Sequence, residues 1–286
     1  MAFSRTDSFV WIDGRIVAAG EATGVSVFDH GFIVGDGVFE AIRLDHGRPL
    51  ALGLHLDRWQ RSAAGLGLVP LDREAAERCV AEVLDANRHV LDGSHDILRL
   101  TYTAGPGFLG SPREAGTVPT MVAAVTSGHV PEPATSVITV PWPRNERGAL
   151  AGLKTTSYGE NAMALAHARA AGASEAIFAT TTGRLCEGTG SNIFIVRDGL
   201  ALTPPLDDGV LAGITRILVM QQNAVTQQSV PLASLADADE AFLTSTVRDV
   251  QAVTQVDGKA IGDGQIGPVT RAAMERFAAA APTHLT

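Results

Sequence analysis

Lysine is scarce in this 286-residue chain: of the 22 basic residues, 20 are arginine, and only Lys154 and Lys259 are lysine. A lysine retained where arginine serves almost everywhere is a candidate for a role that needs a titratable primary amine, which a guanidinium cannot supply. Lys259 lies in VDGKAIGDG, between the glycines of a predicted hairpin, where an exposed charge needs no special role. Lys154 lies in GLKTTSYGEN among apolar and small residues, so it is the stronger candidate.

Several other features are absent. No stretch approaches the ~20 apolar residues that span a bilayer, and MAFSRTDSFVWIDGR lacks the apolar region of a signal peptide. A net charge of -9 provides no basic field for nucleic acid or an anionic membrane. Cys79 and Cys186 lie far apart and form neither a metal-spaced cluster nor a disulfide framework. We therefore expect a cytoplasmic protein without metal, nucleic-acid or membrane partners, in which any anion is bound locally.

The order of predicted elements indicates an α+β fold of two α/β domains. Hairpin turns are expected at Asp13-Gly14 and His46-Gly47, followed by two helices and two further strands. The second half alternates strands and helices without regular βαβ order or a Rossmann signature. The segment GHVPEPA has two prolines and a glycine and reads as a linker. We predict a small N-terminal domain at 1–127, a linker at 128–134 and a large C-terminal domain at 135–286.

Four segments could form a site. A desolvated Lys154 amine has a lowered pKa and is available for Schiff-base chemistry. In CEGTGSNIFIV, Glu187 precedes small and hydroxyl residues, and a carboxylate there could face a cleft. VLAGITRILV places Thr215 in the first turn of a helix, and FLTSTVRDV places Ser245 and Thr246 after a strand. Both segments are candidate anion-binding sites. Each segment also has a purely structural interpretation. Lys154 could be a surface lysine, Glu187 could lie in a solvated turn, and the two anion-binding segments could be ordinary caps.

Arginines inside apolar strands are a further signal. Arg43 lies in EAIRL and Arg99 in ILRLTYT, and a buried arginine requires a charged partner or ligand. Arg58, in HLDRWQRSA, lies on a predicted helix and could equally be solvated.

Pyridoxal 5'-phosphate requires an amine nucleophile, a carboxylate and hydrogen-bond donors that bind its phosphate. The assembly resembles the class IV aminotransferases, which include D-amino-acid and branched-chain aminotransferases, (R)-amine transaminases and 4-amino-4-deoxychorismate lyase. The resemblance covers nearly the whole chain through successive motifs: GDGVFEAIR (35–43), HLDRWQRSA (55–63), LKTTSYGENAMALAHA (153–168), EGTGSNIFIV (187–196), LTPPLDDGVLAGITR (202–216) and FLTSTVRDV (242–250). It implies a class IV aminotransferase-like fold with pyridoxal phosphate in the interdomain cleft, a C-terminal cofactor-binding domain and a homodimer.

The resemblance also implies roles for individual residues. Lys154 matches the lysine that forms the Schiff base and moves the proton, Glu187 the carboxylate on the pyridine nitrogen, and Tyr158 the tyrosine near the phenolic oxygen. The residues that match the phosphate ligands, or lie beside them, are Arg58, Leu211, Ile214, Thr215, Ser245 and Thr246. Candidate substrate contacts are Phe39, Arg43, Arg99 and His30, with Arg43 and Arg99 as carboxylate binders and His30 in a segment that could complete the partner subunit's cleft.

The resemblance leaves several reactions open. We expect a ping-pong transaminase acting on D-amino acids, with (R)-primary amines as further substrates, although PGFLGSPRE lacks the arginine–histidine pair of well-known D-amino-acid enzymes. The main alternative is 4-amino-4-deoxychorismate lyase, which forms 4-aminobenzoate and pyruvate. Glu40-Ala41 stands where some lyases carry a threonine, which disfavours that reaction. Branched-chain activity is disfavoured by the short chain, by the residues around Ile97 and by STVRDV.

Overall fold

Both predicted hairpin turns form because their two central residues adopt positive φ. The φ angles are 46° and 86° at Asp13-Gly14 and 48° and 76° at His46-Gly47, as a two-residue turn with the right-handed twist of its strands requires. In the computed structural model, which describes residues 8–21, 24–91 and 93–286, the chain divides into two units. The first comprises Met1–Val130, Leu153–Tyr158 and His284–Thr286, and the second Pro131–Gly152 and Gly159–Thr283.

The first unit is an antiparallel sheet packed against helices. The strand order is β2-β1-β6-β5-β3-β4. Its strands are β1 (Phe9–Ile12), β2 (Arg15–Ala18), β3 (Gly37–Asp45), β4 (Arg48–Pro49), β5 (Asp96–Thr103) and β6 (Met121–Thr126). Its helices are α1 (His30–Ile33), α2 (Leu52–Gly65) and α3 (Arg73–Ala86), with a 3-10 turn at Ala19–Glu21.

The apolar residues of α2 lie on one face of the helix. Leu56, Trp59 and Ala63 lie on the buried face and join Val38 and Ile42 of β3 in the core of the first unit. Even-numbered residues of β3 therefore face α2, while odd-numbered residues face the opposite side of the sheet.

The second unit has a sheet that closes on itself. The order is β12-β11-β10-β13-β14-β7-β8-β9, and β9 also pairs with β10 at Glu187 and Asn192. Its strands are β7 (Ala134–Thr139), β8 (Glu175–Ala179), β9 (Leu185–Gly188), β10 (Asn192–Arg197), β11 (Leu200–Thr203), β12 (Val225–Gln227), β13 (Glu240–Ser245), β14 (Asp249–Val256) and β15 (Lys259–Ala260). Its helices are α4 (Gly159–Ala170), α5 (Ile214–Gln222) and α6 (Pro268–Ala280), with 3-10 turns at Leu206–Asp208, Leu232–Leu235 and Ala281–His284.

Two local features of the chain position candidate site residues. LCEGTGSNIFIV is divided into β9 and β10, because Gly188 N donates to Ser191 O at 2.8 Å and turns the chain. Residues 153–158 group with the first unit, although the predicted boundary assigns them to the C-terminal domain. No helix in the described part of the chain is long and apolar enough to cross a membrane.

Candidate active site

The segment Leu153–Tyr158 carries Lys154 alongside β3. Phe39 N donates to Lys154 O at 3.0 Å, and Lys154 N donates to the Ser62 hydroxyl of α2 at 3.2 Å. Backbone hydrogen bonds to a strand and a helix therefore fix the Cα of Lys154.

The Lys154 amine lies against aromatic rings. Its Nζ is 4.2 Å from the centroid of the Phe39 ring and 5.9 Å from that of Tyr158. The two rings pack edge to face with centroids 5.3 Å apart. A cation over an aromatic face is stabilised by the ring quadrupole, so these rings help to orient the amine.

Two predicted substrate arginines share a sheet face with Phe39. Arg99 is paired opposite Ala41 and Arg43 opposite Ile97, and side chains of the same strand alternate between faces. The guanidinium carbon of Arg99 lies 3.8 Å from the Phe39 ring centroid. Arg43 is buried, whereas Arg99 is exposed. Lys154 and Arg99 therefore contact the same ring.

The opposite face of β3 carries a buried charge cluster. Glu40 is fully buried and accepts hydrogen bonds from Arg58 Nε at 2.8 Å and Arg58 Nη2 at 2.6 Å. His55 Nδ1 lies 2.7 Å from the same carboxylate. We name these three residues the Glu40 cluster. Arg58, a predicted phosphate ligand, is thus held by a bidentate ion pair.

The cluster shifts the ionisation of two members. Burial alone would raise the pKa of the Glu40 carboxyl, but the charge of Arg58 and the hydrogen bonds from Arg58 and His55 outweigh burial and lower the pKa to about 2. Burial lowers the pKa of His55, the Glu40 carboxylate raises it, and the nearby Arg58 and Lys154 charges lower it, with a net decrease. Glu40 is therefore ionised at neutral pH, and His55 is neutral.

In the second unit, the Glu187 carboxylate lies in β9 and is largely buried. Its Oε2 accepts a hydrogen bond from Leu211 N at 2.8 Å, and its Oε1 lies 3.7 Å from Arg144 Nε. Leu211, matched to the phosphate-binding segment, therefore contacts the predicted pyridine-nitrogen carboxylate through its backbone.

The first turn of α5 follows a glycine that cannot be replaced without a clash. A Cβ at Gly213 would lie 2.0 Å from the side-chain oxygen of Asn192. Gly213 is the N-cap and provides no side-chain hydrogen bond to the first amides of the helix. Ile214 and Thr215 follow it, both buried. The helix start therefore has backbone donors of the kind that bind anions.

Ser245 is the last residue of β13, and Thr246 lies in the tight turn that leads to β14. Arg248 N donates to the Ser245 hydroxyl at 3.2 Å, and Asp249 has a positive φ of 50°. Both predicted ligands are half-buried.

His30 and Arg113 make contacts within the first unit. His30 is 1% exposed, with Nε2 3.1 Å from Phe108 O. Its predicted substrate contact stays a prediction. Arg113 forms a bidentate pair with Asp36, at 2.7 and 2.6 Å, and donates to Leu66 O. Arg113 therefore stabilises loops rather than offering an unengaged cation.

Sequence reasoning missed three residues that the structure brings to these sites. Glu40 and His55 are 15 residues apart, and only the packing of α2 on β3 joins them. Arg144 lies in an irregular segment whose sequence carries no periodic signal. In the GDGVFEAIR motif, Glu40 is an acidic residue within an apolar strand. A buried carboxylate needs a charged or hydrogen-bonding partner, so this residue could have indicated the Glu40 cluster.

The family assignment follows from a match over residues 37–256 to amino-transferase class IV. That match covers more than half of the chain. The protein belongs to the class IV aminotransferases. It is therefore a pyridoxal-phosphate-dependent aminotransferase, which confirms the enzyme class and cofactor expected from the motifs.

Two curated relatives and one solved structure extend this result. A Methanocaldococcus jannaschii protein with the provisional name branched-chain-amino-acid aminotransferase is 36% identical, with 94% of each chain covered. D-alanine aminotransferase of Bacillus licheniformis is 32% identical, covering 92% of this chain and 93% of the relative. The branched-chain aminotransferase of Thermoproteus uzoniensis, solved with norvaline, superposes with a TM-score of 0.88 at 31% identity over 98% of each chain. The predicted class IV fold is confirmed.

Replacing Glu40 by glutamine should destabilise the aminotransferase by about 3 kcal/mol at pH 7, because Arg58 would lose its buried counter-ion. Since the pKa of Glu40 is depressed to about 2, its stabilisation is fully present above pH ~4.5 and is lost as the pH falls toward 2. Urea denaturation of wild type and Glu40→Gln should therefore give a gap in unfolding free energy that narrows below pH 4.5.

Asp85→Asn is the matched control, because Asp85 pairs with Arg88 at the surface and exposed pairs contribute little. An equal loss of stability in both variants, or a gap independent of pH, would contradict the assignment.

Proposed function

We propose that this aminotransferase transfers the amino group of D-amino acids to 2-keto acids by a ping-pong mechanism, with (R)-primary amines as further substrates. The observation that carries the proposal is that the Lys154 amine and the Arg99 guanidinium contact the same Phe39 ring. An amino acid carries an amino group and a carboxylate on one carbon. In this proposal the Arg99 cation binds the carboxylate, and the Lys154 amine lies where the amino group reacts. The D-alanine aminotransferase relative supports the D-configuration.

The residues present fit pyridoxal phosphate. The first amides of α5 have no side-chain cap, so they are placed to donate hydrogen bonds to a phosphate. We propose that Arg58, Leu211, Ile214, Thr215, Ser245 and Thr246 form or border the phosphate site. Local donors of this kind bind a dianion despite a net charge of -9.

The remaining roles concern proton and cofactor placement. Bound pyridoxal phosphate supplies an electron sink for the charge that develops at the substrate Cα. We propose that Lys154 holds the cofactor through its amine and moves the proton released from Cα. Glu187 holds a proton on the pyridine nitrogen, and Tyr158 orients the phenolic oxygen. Arg99 binds the substrate carboxylate, with Phe39 beside it and Arg43 on the same sheet face.

A second candidate is an aminotransferase for L-branched-chain amino acids. The Methanocaldococcus relative and the Thermoproteus structure carry that name, which weighs against the expectation that this activity is disfavoured. The lyase reaction remains the third candidate and is distinguished by pyruvate release from aminodeoxychorismate without an amino acceptor.

We also propose a cytoplasmic homodimer. Exposed apolar side chains lie in two segments of the first unit, residues 27–32 and 108–118, whose backbones are joined by the hydrogen bond from Gly107 N to Phe28 O. This apolar patch comprises Val27, Phe28, Phe32, Phe108, Leu109 and Val118. Clustered exposed apolar residues are typical of a protein interface. Cys79 and Cys186 are buried free thiols, and burial raises the pKa of both, which suits a reducing compartment.

Replacing Lys154 by alanine should abolish both half-reactions, with a loss of at least about a hundredfold in rate. Cofactor absorbance would be followed after mixing with D-alanine, D-glutamate, L-leucine, L-valine or an (R)-amine. Borohydride reduction should attach the cofactor to Lys154, as mass spectrometry would detect. Lys259→Ala, which removes the only other lysine, should behave as wild type. Conversion of L-branched-chain substrates alone would select the second candidate.

Replacing Arg99 by glutamine should raise KM for amino acids about tenfold or more, because a carboxylate loses a charge-assisted hydrogen bond. An (R)-amine without a carboxylate should be converted with little change in KM. Arg15→Gln, at an exposed site on β2, is the control. Equal effects of Arg99→Gln on amino acids and amines would refute carboxylate binding.

Introducing aspartate at both Phe32 and Leu109 should shift the protein from dimer to monomer, because both residues are more than 70% exposed in the apolar patch. Analytical ultracentrifugation would measure the change. Val69→Asp, at an exposed residue outside the patch, should leave the dimer intact. A monomeric wild type would argue against a homodimer.

A further inference from the structure

Arg144 is fixed by contacts on several sides within the second unit. Its backbone N donates to Ala179 O at 2.7 Å, and Nη1 donates to Asn161 Oδ1 at 3.0 Å. Its guanidinium carbon lies 4.3 Å from the centroid of the Phe178 ring. The side chain is 16% exposed. These contacts give the guanidinium a defined orientation.

The Nε atom of Arg144 lies near the Glu187 carboxylate. This buried atom has no hydrogen-bond partner among the described residues, and it lies 3.7 Å from Glu187 Oε1. That distance is too long for a hydrogen bond but within the range of an ion pair. The Glu187 side chain is 13% exposed, so the attraction is screened less than at the surface.

The surroundings make Glu187 the main counter-ion of Arg144. The Glu160 carboxylate is also 3.7 Å away, but its side chain is 74% exposed, so solvent and salt weaken that pair. Asn161 connects Arg144 to the turn that follows Glu187, because its Nδ2 donates to Thr189 O. The cation and the segment that carries the carboxylate are therefore held by one amide side chain.

We propose that Arg144 is a positioning residue that keeps the Glu187 carboxylate ionised and oriented toward the cofactor's pyridine nitrogen. This inference rests on the proposed role of Glu187. A carboxylate can hold a proton on that nitrogen only while it is itself anionic. Arg144 supplies the positive charge that favours this state, and it does so without a hydrogen bond that would pull the carboxylate away.

The test compares Arg144→Gln, Arg144→Lys, Glu187→Gln and the double variant Arg144→Gln/Glu187→Gln. Each protein is loaded with pyridoxal phosphate, and three quantities are measured: the cofactor dissociation constant, its absorbance spectrum and the half-reaction rate. We expect Arg144→Gln to slow the half-reaction about tenfold and to shift the absorbance in the direction seen for Glu187→Gln. Arg144→Lys should restore part of both, because it keeps the charge.

The double variant separates an effect through Glu187 from a structural one. If Arg144 acts through Glu187, Arg144→Gln should add no further loss in the Glu187→Gln background. Arg147→Gln, at an exposed arginine of the same segment, should match wild type.

A wild-type spectrum and rate for Arg144→Gln, or an undiminished loss in the double variant, would overturn the proposal. The spectrum and cofactor affinity need no amino donor, so failure of the proposed transamination would be seen separately, as a wild type that converts none of the donors.

Discussion

The backbone hydrogen bond from Phe39 N to Lys154 O joins the lysine to strand β3. Because side chains alternate between the two faces of this strand, neighbouring residues of β3 contact two different groups of charged side chains. Phe39 lies on the face where its ring meets the Lys154 amine and the Arg99 guanidinium. Glu40, the next residue, lies on the opposite face and binds Arg58 and His55 of α2. One strand therefore supports both the Lys154 amine and, on its opposite face, the buried ion pair of Glu40 and Arg58.

Two largely buried carboxylates, Glu40 and Glu187, are stabilised by different kinds of contact. Glu40 is bound by two nitrogens of Arg58 and one of His55, so its charge is locked in direct hydrogen bonds. Glu187 receives a backbone hydrogen bond from Leu211 and lies 3.7 Å from Arg144. The first arrangement suits a structural role, because such a carboxylate cannot be reoriented without exposing a buried arginine. The second suits a carboxylate that acts on a ligand.

The sequence predicted local features better than tertiary ones. Hairpins at Asp13-Gly14 and His46-Gly47 follow from turn residues that accept positive φ, and α2 follows from the spacing of its apolar residues. The Glu40 cluster could not be predicted, because its members meet only when α2 packs on β3. Arg144 was missed for a similar reason: its orientation depends on Phe178 and Asn161, which are distant in sequence.

Handedness of the substrate must depend on residues other than those shared by the whole family. Relatives named for D-alanine and for branched-chain amino acids both align over more than nine-tenths of this chain. The lysine, carboxylate and phosphate motifs are the family's common chemistry, so they cannot by themselves distinguish the two hands. In the proposed site, the Lys154 amine and Arg99 as carboxylate binder define two of the three directions around the substrate Cα. The space left for the side chain then decides which enantiomer places its Cα hydrogen toward the lysine.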